Sequence, residues 1–171
     1  MSEPRWLDDE QQEAWRTYLY AAVLLQESLD RQLQRDAGMP HSYYAILGLL
    51  GEVPERSLTM GQIAEYTRSS PSKLSHAVAR LEDRGWVRRC RHPDNARQVV
   101  ATLTDAGYDA LVAAAPGHVE QVRTALFDHL DRDQVHHLRD IFRTVLAHLE
   151  DVPEGCHPML APQQPSASDA A

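Results

Sequence analysis

The stretch from Ser69 to Arg97, SSPSKLSHAVARLEDRGWVRRCRHPDNAR, decides the fold. Ser70 is suited to cap a helix, and Pro71 then takes the first helical position, where its missing N–H costs nothing. Gly85 is suited to end that helix, because glycine readily adopts the left-handed backbone of a helix terminus. The apolar residues in between recur at i, i+4 and i+7 and form one stripe: Leu74, Val78 and Leu81. The stretch therefore predicts an amphipathic helix followed, from Trp86, by extended chain.

The outward face of this helix is short, polar and basic, as a helix that reaches base edges and phosphates in a DNA groove must be. It carries Ser72, Lys73, Ser75, His76 and Arg80. On the helix alone, an ordinary amphipathic surface helix explains the pattern equally well. The sequence on either side favours the DNA-binding interpretation.

Two runs with strand character follow the helix, Trp86–His92 and Arg97–Leu103, and the turn-forming residues 93–96 join them. Upstream, an edge strand at Ser57–Thr59 leads into a brief helix that ends near Thr67. Two helices separated by a tight turn and followed by a hairpin form a winged helix-turn-helix. The predicted fold class is therefore mainly α with a small β-hairpin wing.

Long amphipathic helices flank this unit on both sides. The first starts near Asp8 and stops at Gly38-Met39-Pro40, and a second helix runs from His41 to a point before Pro54. After the hairpin, Thr104 caps a further helix, in which we expect Pro116 to cause a kink or a split. The last helix follows a break near Leu130-Asp131.

Three long amphipathic helices are more than a small winged helix needs to cover its own core. We therefore expect them to pack against a second copy in a C2 homodimer, with the two recognition helices about 34 Å apart. The expected parts are an N-terminal dimerisation helix (8–40), the DNA-binding domain (41–103), C-terminal dimerisation helices (104–150) and a disordered tail rich in Pro, Ser and Ala (151–171).

The charge distribution separates one segment from the rest of the chain. The protein carries a net charge of −8, yet residues 68–98 carry +5, which leaves −13 on the remainder. A basic segment in an acidic body is typical of a DNA-binding module, because the acidic remainder repels DNA and orients the basic face.

Composition sets the expected location. No apolar run approaches the roughly 18 residues that span a bilayer, and we expect neither a signal peptide nor a membrane partner. Two distant cysteines, Cys90 and Cys156, form no disulfide framework. These features predict a cytoplasmic protein.

The sequence resembles the MarR family of bacterial transcriptional regulators. The resemblance rests on LTMGQIAEYTRSSPSKLSHAVARLEDRGWVRR, on the wing HPDNARQVVATLTDAG and on flanking helices of matching length, and it covers roughly residues 8–149. The family implies a dimer that reads a pseudo-palindromic operator, usually as a repressor. It also implies release by ligands or oxidants that act near the junction of the dimerisation and winged-helix regions.

The wing departs from the family pattern in one respect. Family wings usually carry an Asp-x-Arg with a second arginine between, whereas this chain reads Asn95-Ala96-Arg97. Arg97 is kept, but the aspartate that would brace it is missing, unless Asp94 substitutes from one position away. We therefore expect the recognition helix, rather than the wing tip, to do most of the sequence reading.

Nine residues are the candidate DNA contacts. Lys73 and His76 could donate hydrogen bonds to guanine acceptors, whereas the serines suit phosphate or water-mediated contacts. Arg80 has an alternative structural role, pairing with a neighbouring acid at position 82 or 83. The full candidate set is Arg68, Ser70, Ser72, Lys73, Ser75, His76, Arg80, Arg91 and Arg97.

A small-molecule effector is a second candidate partner. An arginine and a histidine with aromatic walls would suit an anionic aromatic molecule. The candidate pocket residues are Trp15, Arg16, His41, Tyr43 and Tyr44. Each of them could equally be a core or interface residue.

No metal or cofactor site is expected. The nine histidines lack metal-ligand spacing, and adjacent His136 and His137 point in different directions on a helix, so we expect solvated or interface histidines. Cys90 lies among three arginines that would lower its pKa if it were exposed, but a structural role is the favoured interpretation.

Two other function classes compete with a DNA-binding regulator. An enzyme is disfavoured, because the sequence has no glycine-rich phosphate loop, GxSxG, HExxH or paired carboxylates at strand ends. A winged-helix protein–protein adaptor that has lost DNA binding fits the altered wing and the acidic body. The basic segment argues against that alternative.

Overall fold

Helix boundaries follow the capping residues of the sequence. In a computed structural model, which describes residues 4–92 and 95–149, Asp8 and Thr59 form capping boxes, and the hydroxyls of Ser70 and Thr104 accept backbone N–H groups of their helices. Gly38 ends the first helix at φ +62°, as predicted. The elements are α1 Asp9–Ala37, α2 His41–Glu52, β1 Ser57–Thr59, α3 Met60–Tyr66, α4 Pro71–Asp83, β2 Val87–His92, β3 Asn95–Leu103, α5 Asp105–Ala125 and α6 Arg132–Leu149.

The fold is mainly α with one small antiparallel sheet, which confirms the predicted fold class. The strand order is β1-β3-β2, so that β1 is an edge strand, and Ala101 of β3 lies opposite both Leu58 and Arg89. Together these elements form a winged helix-turn-helix with long helices before and after it.

Strand β3 begins earlier than predicted. Strand β3 begins at Asn95 rather than at Arg97, because a register irregularity between Arg91 and His92 lets His92 pair with Asn95 and extends the ladder. Of the four predicted turn residues, 93 and 94 lie outside the described residues, as does the predicted tail 151–171.

Helix α5 runs without interruption through Pro116, so the predicted split is wrong. Packing against α1 on the C-terminal side of the proline explains this. A Cβ on Gly117 would lie 3.0 Å from the Gln32 side chain, and Gln121 donates a hydrogen bond to Ser28 at 3.0 Å. These contacts with α1 favour continuation of the helix after the one lost backbone bond.

The core lies inside the winged helix and its junction with α1 and α2. Its fully buried side chains include Leu33, Leu47 and Leu50 from the helices before β1, and Ile63, Val78 and Leu81 from α3 and α4. By contrast, none of the 18 residues of α6 is buried. No helix within 4–92 or 95–149 is both long and apolar enough to cross a membrane.

Candidate nucleic-acid interface

The turn between α3 and α4 fixes the direction of α4. It lacks glycine, and Arg68 itself takes the left-handed conformation at φ +49°. The backbone N–H of Ser69 donates to the carbonyl of Ala64 at 3.0 Å and closes the turn. A glycine is frequent in the turn of a helix-turn-helix, and its absence argues weakly against that motif. Here Arg68 takes the left-handed conformation that a glycine would adopt, at some cost in backbone strain.

Helix α4 presents one buried and one exposed face. Leu74, Val78 and Leu81 are at most 2 % exposed, as their spacing predicts. All six candidate DNA contacts on this helix and its cap are exposed: Ser70, Ser72, Lys73, Ser75, His76 and Arg80. Lys73 is also the only lysine of the chain.

Arg80 is close enough to Asp83 for a weak ion pair only. Their charged atoms are 3.9 Å apart, and the two side chains are 73 % and 70 % exposed. Exposed pairs of this kind add little stability, so the guanidinium can exchange Asp83 for a phosphate at little cost. Pairing of Arg80 with Glu82, the other structural alternative, is not observed, because Glu82 binds Arg89.

The ion pair between Glu82 and Arg89 anchors the wing to α4. Arg89 donates from Nε and Nη2 to one carboxylate oxygen at 2.8 and 2.6 Å, and its backbone N–H donates to the other at 3.1 Å. These bonds hold the pKa of Glu82 below its usual range, with the side-chain bond as the main cause. Arg89 thus positions the wing.

Arg84 is likewise directed at the protein. It donates to the carbonyl of Gly38 at 3.0 Å, and its guanidinium lies 4.8 Å from the Trp86 ring and 5.9 Å from the Tyr43 ring. Two arginines of the basic segment therefore have structural partners. Sequence reasoning counted their charges but could not identify these partners, since both lie on other elements.

The wing and α4 share one surface. A cleft of about 450 Å³ lies between α3, α4 and the hairpin, and both Ser75 and Arg97 line it. Arg91 and Arg97 are exposed. Asn95 accepts a hydrogen bond from the backbone N–H of Arg97 at 3.2 Å, so it braces the backbone where a family aspartate would occupy the position.

A second cavity, of about 380 Å³, lies between α2 and α5. Of the five predicted pocket residues, only His41 and Tyr44 line it. Trp15 and Arg16 lie about 30 Å along α1 from the end that meets α2, and Tyr43 faces Arg84 instead. The predicted grouping of five is therefore corrected to these two residues, joined by His118, Glu52 and Tyr108.

His118 is the functional candidate that sequence reasoning missed. Its ring lies 4.4 Å from that of Tyr44 and 5.5 Å from that of His41, rather than in solvent or in an interface as expected. A signal was present, because His118 continues the i, i+4, i+7 spacing of Leu111 and Ala115 along the face of α5 that packs on α2.

Burial sets the protonation states of this cavity. It lowers the pKa of His41, against the attraction of Asp30, and it lowers the pKa of His118, with a further contribution from His41. Burial and Glu52 together raise the pKa of Tyr44. At neutral pH the two imidazoles and the phenol are therefore uncharged.

Cys90 is exposed on β2, so the expectation of a packed, structural cysteine is wrong. Side chains alternate along β2, so Cys90 lies on the opposite face of the strand from Val87, whose side chain is buried in the core. Within the described residues, no three His, Cys, Asp or Glu side chains are grouped so that they could hold a metal ion.

Known proteins with similar sequences and structures share this winged helix-turn-helix fold. A family model described as "MarR family" matches residues 37–98. Sco3205, a MarR family transcriptional regulator from Streptomyces coelicolor solved in complex with DNA, is 51% identical with a TM-score of 0.82, over 92% of this chain and 98% of that chain. AbsC, a MarR family transcriptional regulator from the same organism, is 34% identical with a TM-score of 0.79, over 85% and 98%.

A curated sequence relative gives the same picture. The HTH-type transcriptional regulator MT0903.1 of Mycobacterium tuberculosis is 29% identical over 66% of this chain and 81% of its own length. The structural matches extend beyond the winged helix into the long flanking helices, since they cover 85% or more of the chain.

Proposed function

The chain belongs to the MarR family of DNA-binding transcriptional regulators, and from this premise we propose that it is a homodimeric repressor that leaves a pseudo-palindromic operator when a small ligand binds. The observation that carries the proposal is the exposed polar and basic face of α4, whose opposite face is fully buried. A protein–protein adaptor that has lost DNA binding has no comparable support, because that function would leave the exposed basic face of α4 without a role.

The proposed DNA contacts divide by chemistry. Lys73 and His76 lie on the outer face of α4 and would donate to guanine acceptors in the major groove. The serines and Arg80 would contact phosphates, and Arg91 and Arg97 would reach the backbone beside the wing. Arg68 belongs to the same set, at the turn that leads into α4.

Dimerisation is supported by the apolar residues left uncovered on the long helices. The larger ones on α1, α5 and α6 include Trp15, Tyr18, Leu19, Tyr20, Val23, Leu24, Val112, Val119, Ile141, Phe142, Val145 and Leu149. Within one chain α6 reaches α1 through the ring contact of Tyr18 with Phe142, at 5.8 Å. A second copy would cover the rest, with 8–40 and 104–150 as dimerisation segments around the DNA-binding domain 41–103.

Ligand release is supported by the position of the α2–α5 cavity. Tyr108 lines this cavity, and the guanidinium of Arg56 lies over its ring, 3.8 Å from the centroid. Arg56 also forms an ion pair with Asp105 at 3.4 Å. Arg56 immediately precedes β1, which pairs with β3 of the wing. A molecule that moves Tyr108 would therefore also move an anchor of the sheet.

Fluorescence anisotropy with DNA from the gene's own upstream region tests the proposal. Replacing Lys73→Ala and His76→Ala together should weaken operator binding by about 100-fold, since each base contact contributes roughly 1–3 kcal/mol. The matched control, Arg31→Ala with His129→Ala, also removes one exposed cation and one exposed histidine, but away from α4.

Salt dependence completes the test. Wild-type affinity should fall steeply as salt rises, because phosphate contacts release counterions. Specific binding retained by the α4 double variant, or no binding by the wild type even at low salt, would contradict the proposal.

A further inference from the structure

The charge of the α2–α5 cavity limits what it can hold. Glu52 supplies a carboxylate at the end of α2, and no lysine or arginine of the described residues lines the cavity. Arg56 contacts the Tyr108 ring but is not a lining residue, and its guanidinium is paired with Asp105. The lining residues therefore include one negative charge and no positive one.

His118 offers a hydrogen-bonding nitrogen that has no partner. Its Nδ1 is buried and makes no hydrogen bond within the described residues. A buried polar atom without a partner is destabilising, so the surroundings of His118 are not at their most stable arrangement when the cavity is empty. Asp30 on α1 faces His41, and its carboxylate accepts from the backbone N–H of His41 at 2.8 Å. Tyr44 and Glu52 on α2 line the same cavity.

The two imidazoles cannot act as counter-ions for an acid at neutral pH. Burial lowers the pKa of both His41 and His118, and each is therefore uncharged there. A carboxylate in the cavity would lie near Glu52 with no lysine or arginine among the lining residues to compensate it, which is unfavourable in a partly buried site.

We propose that the α2–α5 cavity binds a flat aromatic molecule that is neutral or cationic, and that it rejects aromatic carboxylates. Tyr44 and His118 provide rings against which such a molecule packs, and a cation is attracted both by the Tyr44 ring and by Glu52. The inference rests on the proposed ligand-binding role of this cavity. It reverses the sequence-based expectation of an anionic effector, which depended on Arg16.

Three probes of matched shape test the charge preference. They are 2-naphthamidine, which is cationic, 2-naphthamide, which is neutral, and 2-naphthoate, which is anionic. Isothermal titration calorimetry on the full chain without DNA at pH 7.5 should show the amidine and the amide binding about tenfold or more tightly than the carboxylate, because like-charge contacts are strongly disfavoured. The His118 ring resonances should shift on titration of the first two probes.

Two substitutions locate the binding. Gly48 lines the cavity, and a Cβ there would meet no atom within 4 Å, so Gly48→Leu places its side chain in the open space. It should abolish binding, whereas Ser42→Ala, exposed on the same helix, should leave it unchanged.

Glu52→Gln should reduce the amidine-to-carboxylate preference several-fold while amide binding persists. Circular dichroism checks that each variant is folded, and Gly48→Ala, which adds only a methyl group, replaces Gly48→Leu if that variant unfolds.

The outcomes separate this inference from the proposed function, because DNA takes no part in the titrations. The inference is overturned if 2-naphthoate binds as tightly as the other two, if none of the three binds at millimolar concentration, or if folded Gly48→Leu binds as the wild type does. If the wild type fails to bind operator DNA, that result contradicts the proposed function, regardless of whether the three probes bind.

Discussion

The winged helix and the long flanking helices use the same kind of amphipathic sequence with opposite results. In the winged helix, the apolar stripe of α4 is at most 2 % exposed and closes a core with α2, α3 and the sheet. In α6, an equally regular stripe remains open, with Ile141 58 % and Leu149 74 % exposed. The periodicity of a sequence thus shows which face is apolar, and only the tertiary structure shows whether one chain can cover it.

The largest effect should come from placing charge on each of the two stripes. Val78→Asp should unfold the winged helix, because it buries an unpaired carboxylate in a core that is fully closed. Ile141→Asp with Val145→Asp should leave each chain folded but dissociate the proposed dimer, and it should weaken operator binding by about 100-fold or more through loss of bivalency. Circular dichroism, light scattering and anisotropy measure the three quantities.

Ala147→Asp is the control for the α6 variant, because it adds an exposed charge on the opposite face of the same helix. It should leave the molar mass in solution unchanged. A dimer that survives the double aspartate substitution would show that α6 is not part of the interface.

The next effect concerns how the wing is attached. A double-mutant cycle on Glu82 and Arg89 should give a coupling free energy of about 1 kcal/mol or more, since two short side-chain hydrogen bonds join the pair and its exposure is limited. The same cycle on Arg80 and Asp83, an exposed pair on the same helix, should give a value near zero. Urea unfolding measures both, and equal couplings would remove the structural role assigned to Arg89.

Two glycines of α2 should respond in opposite directions to alanine. Gly48→Ala should stabilise the protein by roughly 0.4–1 kcal/mol, because its Cβ meets open space and alanine favours the helix. Gly51→Ala should be destabilising or neutral, since its Cβ would lie 2.9 Å from Leu111 on α5. Thermal unfolding of the two variants compares them, and an equal gain from both would show that α2 and α5 are less tightly packed than described.

The smallest effect is a pH dependence at the junction of the two regions. The pKa values of His41 and His118 are lowered in the folded state, so the unfolded chain binds more protons there as the pH falls below about 6.5. Their contribution to stability is complete above that pH and is lost as the pH falls towards the folded-state values. His118→Phe should flatten the decline in the free energy of unfolding between pH 6.5 and 5, and an unchanged slope would contradict the assignment.

Local features were predictable from the sequence, and contacts between distant elements were not. The cap at Ser70, the stop at Gly38 and the buried face of α4 each depend on residues within one or two turns. The predicted grouping of pocket residues failed because Arg16 lies in the first half of α1 and His41 begins α2, so about 21 helical residues, or roughly 30 Å, separate them. The partners of Arg84 and Arg89 lie on other elements, so the charge pattern alone could not separate structural from DNA-facing arginines.

The side chain of Lys73 gives the most direct test of the central claim, that the outer face of α4 lies against DNA. As the only lysine, it is the one side-chain amine that an amine-reactive reagent can modify, and the N-terminal amine serves as an internal control. Mass spectrometry of the protein labelled with and without operator DNA measures protection at this position. The account predicts that operator DNA slows modification of Lys73 by about tenfold while that of the N-terminus is unchanged; equal labelling of Lys73 with and without bound DNA would contradict it.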